Sequence, residues 1–89
     1  MKRPQSLEEH LEFLLRDLCV QDGFCLPADK HHSVVTRRRW EVREFALEML
    51  RLEGFPTPEY ETRLLRGLVR RFTEYFGRAV VRAEEFEQA

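Results

Sequence analysis

A chain of 89 residues, 43% hydrophobic and 35% charged, is one globular domain: a second core would leave each half too small to fold, and a disordered chain would be less apolar. Its formal net charge of −1 sets up no overall field for nucleic acid or an anionic membrane, so such a partner would have to be met by a local patch. Apolar runs are only a few residues long, far short of the roughly 20 a membrane helix needs, and "MKRPQSLEEHLEF" brings in acids where a signal peptide would be apolar; the chain therefore reads as cytoplasmic.

Residues 1–5 are expected to be a flexible N-terminus, followed by a helical domain over 6–77. The first helix, 6–21, opens at Ser6 with Glu9 three places on, the spacing of a capping box. Leu7, Leu11, Leu14, Leu15 and Leu18 fall on one face of a 3.6-residue wheel, whereas Glu8, Glu9, Glu12 and Arg16 lie off it. Phe13 and Val20 form a thin second stripe on the far side. Beyond this helix the loop to 35 is given a short turn at 27–32.

The second helix is predicted over 36–53, capped by Thr36 or by Ser33 if it starts earlier. Val42, Phe45, Ala46, Met49, Leu50 and Leu52 make its inward face. Trp40 and Leu47 sit at the edge of the charged outer side with Glu41, Glu44 and Glu48.

The third helix is predicted over 57–76, with Thr57 as cap and Pro58 in the first helical position, where its missing N–H costs nothing. Tyr60, Leu64, Leu65, Leu68, Val69, Phe72, Tyr75 and Phe76 form a wide apolar arc, and Arg63, Arg66 and Arg70 stand opposite with Arg71 beside them. Gly77 ends the pattern. The remaining segment, 78–89, is helical through Val80, Ala83 and Phe86, or frayed.

Two octets, "DGFCLPAD" at 22–29 and "EGFPTPEY" at 53–60, read almost alike. Both are explained as helix punctuation. Gly23 and Gly54 take the left-handed position after a helix, Phe24 and Phe55 fold back on the helix just ended, and Pro27 and Pro58 start the next turn.

Chemistry is sparse by comparison. "DKHHSVVTRRRW" offers Lys30, Arg37, Arg38, Arg39 and Arg43 around Trp40, but successive helical residues lie about 100° apart and cannot make one phosphate site. Cys19, Cys25, His31 and His32 lack the close ligand pairs of a structural zinc site. The two cysteines are too few for a disulfide framework and read as reduced thiols. Cys25 with His31 or His32 is the one pair with nucleophile and base chemistry, and nothing marks it as activated.

The resulting expectation is an all-α protein, a small three-helix bundle with a short fourth C-terminal helix, and no catalytic, cofactor or metal site. Three helices need one apolar face each, so Phe13, Val20, Trp40 and Leu47 are surplus and form the candidate protein interface, for self-association or for a protein partner. The function expected is a non-enzymatic interaction or adaptor module. The alternative is a helix-turn-helix-like nucleic-acid binder using Arg63, Arg66, Arg70 and Arg71, since "GFPT" has the length and glycine of such a turn. Against it, Glu59 and Glu61 stand at the helix end that would approach phosphates, and Glu59 and Glu74 are each placed to pair with an arginine of the stripe.

Overall fold

The computed structural model describes residues 6–87; the N-terminal segment 1–5, expected to be flexible, lies outside the described residues, as do positions 88 and 89. Helix α1 spans Leu7–Asp22, and the Ser6 Oγ accepts the Glu9 backbone N–H at 3.1 Å, as the capping pattern requires. All five leucines of its inward stripe are buried. At its other end Gly23 is left-handed at φ 78°, and the Phe24 N–H donates back to the Leu18 carbonyl at 3.1 Å. The second punctuation mark behaves likewise: Gly54 has φ 99°, and the N–H groups of Gly54 and Phe55 donate to Arg51 and Leu50, both at 3.1 Å. The repeated octet is thus a paired helix stop.

Between these marks the architecture departs from three helices. The short turn expected at 27–32 is helix α2, Ala28–Val35, which buries Val34 and Val35. Thr36, expected to begin a helix, ends one: its backbone N–H and its Oγ1 both donate to the His32 carbonyl, at 3.1 and 2.7 Å. Strand β1, Arg39–Glu41, then precedes helix α3, Val42–Leu52. The cap of α3 is Glu41, whose carboxylate accepts the backbone N–H groups of Arg43 and Glu44 at 3.1 and 3.0 Å. An acid there also complements the positive end of the helix.

Pro58–Tyr60 is a separate 3₁₀ turn and helix α4 is Thr62–Phe76, so the third predicted helix starts later than its proline suggested. The Thr57 side chain makes no capping bond, and Glu61 at ψ 60° breaks the helical path. Over its described residues, 78–87, the tail is not the short α-helix expected. Strand β2, Val80–Arg82, pairs antiparallel with β1, with Trp40 opposite Val81, and a 3₁₀ turn over Ala83–Phe86 follows. The described residues therefore form a mostly helical fold, as expected, but with four α-helices and a small two-stranded sheet where three helices and no strand were expected.

Helix α3 packs on α4, α1 on α2, and β1 on β2, around a single hydrophobic cluster. An aromatic chain runs through it. Trp40 meets Phe45 edge-on at 5.5 Å between centroids, Phe45 meets Phe72 at 5.1 Å, and Phe72 meets Phe76 at 4.8 Å. Such pairs add about 0.5–1.5 kcal/mol each beyond the area they bury.

The chain of rings ends at His10, which packs against Tyr75, Phe76 and Phe86 and lies 3.1 Å from the Tyr75 hydroxyl through Nδ1. Burial disfavours the charged ring and lowers its pKa, against a smaller opposing pull from Glu9. Burial, helped by Asp17, raises the pKa of Tyr75, so its hydroxyl keeps the proton that Nδ1 accepts in the Nε2–H tautomer. The unfolded ring, at 6.5, takes up its proton before the folded one does. The stability this contact gives is complete above that pH and is lost as the pH falls through the lower folded value. Thermal melts from neutral to mildly acidic pH should show this modest loss, and His10→Gln should remove that component of it.

Candidate functional site

Trp40 is 1% exposed and its indole N–H donates to the Val34 carbonyl at 3.0 Å. Its expected place on an exposed interface is corrected accordingly: the tail strand, α2 and Phe45 enclose it. Leu47 is partly buried against the same core. Phe13 and Val20 do lie on the surface, 42% and 78% exposed, with the Arg16 guanidinium 5.6 Å from the Phe13 ring centre. The four residues singled out in the sequence are not brought together on one face.

Cys19 and Cys25 are joined in a disulfide, with Cα atoms 4.4 Å apart, and are not the reduced thiols expected. Two cysteines are too few for a framework of several bonds, but they suffice for one. The left-handed turn at Gly23 reverses the chain and returns Cys25 to the last turn of α1. A disulfide sulfur is no nucleophile, so Cys25 with His31 or His32 is not a reactive pair in this state. Among the described residues no three His, Cys, Asp or Glu side chains are grouped to hold a metal ion.

Among the described residues six arginines are held closely by acids, five of them outside α4. Arg37 and Arg39 each reach Glu44 at 3.2 Å, Arg38 reaches Glu87 at 2.9 Å, Arg51 reaches Glu48 at 2.5 Å, and Arg78 reaches Glu85 at 2.8 Å. Arg37 also covers the Trp40 ring, its guanidinium 4.0 Å from the ring centre. The tempting "RRRW" run is thereby absorbed by its own neighbours.

Helix α4 differs. Among the described residues Arg63 and Arg66 have no acidic partner within 4.0 Å, and Arg70 touches Glu74 only at 3.9 Å with both side chains mostly in water. Glu59, expected to pair with Arg63, lies in the 3₁₀ turn ahead of the helix, so the four-residue spacing does not place the two as helical neighbours. Arg71 is the exception, held by Asp22 and Gln21, both at 3.0 Å, which fastens α4 to the end of α1.

Beside that clamp lies an open cleft of about 320 Å³. Leu18, Phe24, Leu64 and Leu68 supply its apolar lining, and Arg63, Arg70 and Arg71, with Asp22 paired to Arg71, its charged edge. Gly67 sits in the same wall, in the middle of α4, and a Cβ there would meet nothing within 4 Å. Arg66 faces a different hollow with Arg43 and Glu59. The sequence-predicted stripe is thus split, with Arg63, Arg70 and Arg71 at the cleft and Arg66 away from it. Sequence reasoning passed over the cleft, although a glycine inside so regular an amphipathic helix was a signal for it.

Charge is also segregated between the cleft's two helices. Helix α1 carries Glu8, Glu9, Glu12, Asp17 and Asp22 against Arg16, whereas α4 carries Arg63, Arg66, Arg70 and Arg71 against Glu74. Among the described residues no helix is long and apolar enough to cross a membrane. Compared with protein-family models, with curated proteins and with solved structures, the chain matches none.

Proposed function

We propose that this chain is a small non-enzymatic protein-interaction or adaptor module whose working surface is the α1–α4 side. One observation carries the reading: whereas Arg37, Arg38, Arg39, Arg51, Arg71 and Arg78 each hold an acid within 3.2 Å, Arg63 and Arg70 are left with water or a distant carboxylate beside an open cleft with an apolar lining. Apolar contact with charge at its rim is how protein surfaces recognise one another. Phe13 and Val20, exposed on α1, add a second contact for a protein partner or for a second copy of the chain, whereas the Trp40 part of the expected dimer surface is withdrawn. The cytoplasmic placement sits poorly with the Cys19–Cys25 bond, since cytoplasmic thiols are kept reduced.

The test is a pull-down from the native cells with and without nuclease. Protein partners that survive nuclease treatment support the reading; recovery of nucleic acid alone overturns it.

The nucleic-acid alternative has one observation in its favour, the same lack of acidic partners at Arg63 and Arg66. A salt titration with mixed DNA and RNA tests it. A nucleic-acid binder would lose affinity steeply with salt, and each arginine-to-alanine change at 63, 66 or 70 would reduce the slope by about one. The adaptor reading expects no binding at low salt.

A further inference from the structure

We propose that the cleft between the end of α1 and the middle of α4 docks a short acidic segment of another protein, with an apolar side chain entering over Gly67 and carboxylates meeting Arg63 and Arg70. This names the partner for the interaction reading above and rests on it.

Gly67 points to close approach by a partner. Glycine inside a helix is less favourable than alanine, and nothing in this fold requires it: a Cβ would meet no atom within 4 Å, and the residue is not among those with positive φ. Its missing side chain instead deepens the cleft, so that an incoming side chain reaches Leu64 and Leu68 along the α4 backbone.

Charge selects the occupant. Arg71 is already neutralised by Asp22, and its clamp holds the α1 wall in place. Arg63 and Arg70 are the groups left to be neutralised, one on each side of Gly67 in sequence. A basic segment would be repelled by both. Carboxylates close to an apolar side chain would satisfy the rim and the floor together.

A phosphate backbone fits less well. It would use Arg63, Arg66 and Arg70 along the outer face and has no need of an apolar floor or of the absent Cβ. It would also meet Glu59 and Glu61 at the beginning of the helix. The two occupants therefore differ in what they ask of Gly67.

The experiment pans a random dodecapeptide display library on the whole chain and measures the affinity of the enriched peptides. Expected are peptides joining a large apolar residue to Asp or Glu within one helical turn. Their affinity should fall at least about tenfold both in Gly67→Leu and in the double variant Arg63→Glu, Arg70→Glu. The charge reversals lie on exposed side chains and retain the fold, so they decide the matter even if Gly67→Leu melts early.

No enrichment, enriched peptides without acids, or peptides indifferent to the charge reversals would overturn the proposal. Peptides lost instead on Phe13→Ser and Val20→Ser would sink the cleft and leave the interaction reading standing. Self-association of the chain abolished by the charge reversals would replace the foreign segment by a second copy. Binding of DNA or RNA that Arg63→Ala weakens and Gly67→Leu does not would overturn both readings.

Discussion

Replacing Trp40 by alanine is expected to cost about 3–5 kcal/mol, the cost of emptying an enclosed aromatic site. An 89-residue domain holds about 4–13 kcal/mol in all, so the change should remove from about a quarter to all of its stability. The size follows from position. Trp40 is 1% exposed, stacks edge-on with Phe45, lies opposite Val81 in the sheet, and donates its indole N–H to Val34. One ring therefore ties together the end of α2, both strands and the start of α3. Trp40→Phe should cost less, about 1–3 kcal/mol, because it keeps much of the packing but leaves the Val34 carbonyl without its donor. Urea unfolding followed by circular dichroism measures both. A cost under about 1 kcal/mol for alanine would mean that the ring is not enclosed and that the tail strand does not cover it.

Opening the Cys19–Cys25 bond should have the next largest effect. The two residues are six apart, and closing so short a ring removes chain entropy from the unfolded state worth about 2 kcal/mol. For a domain of this size that is about 8–16 °C in melting temperature. Reductant and Cys25→Ser should each produce the drop, and reductant should have no further effect on the variant. The loss should be felt at the turn between α1 and α2, where Gly23 and Phe24 are otherwise held by two backbone hydrogen bonds. Two thiols open to alkylation without reductant, with an unchanged melt on adding it, would show that the bond is absent and return the pair to the reduced state the sequence suggested.

Much of the core was legible because it obeys a helical period. The leucines of α1, the Phe45–Leu50 face of α3, and Leu65, Leu68 and Phe72 of α4 are buried where a 3.6-residue repeat places them. Gly23, Gly54 and Gly77 stop chain segments for a reason equally local, a left-handed backbone that costs glycine nothing. The predicted helix boundaries failed where two rules competed. Thr36 and Thr57 are acceptable caps by residue type, yet Glu41 caps α3 and no side chain caps α4. Val34 and Val35, the β-branched pair read as loop, are carried in α2 because burial outweighs their weak helix propensity.

The candidate site was legible only in part. The α4 arginines were marked by their spacing, but which of them would find an acid depended on where Asp22, Glu59 and Glu74 came to rest. Trp40 was misplaced for the same kind of reason: a wheel drawn through 36–53 puts it outside, and the wheel does not apply where the chain is a strand.

Periodic faces, helix stops and the overall balance of charge follow from neighbours a few positions apart, and these the amino-acid order specifies directly. The β1–β2 pairing, the Cys19–Cys25 bond, the Arg71–Asp22 clamp and the cleft over Gly67 each depend on how separate segments meet after the chain has turned. Three of them join residues about 40 to 50 positions apart, and the fourth crosses a reversal at Gly23. Such contacts come from the free energy of the whole fold, in which burying Trp40 and Val81 together outweighs extending a helix through either.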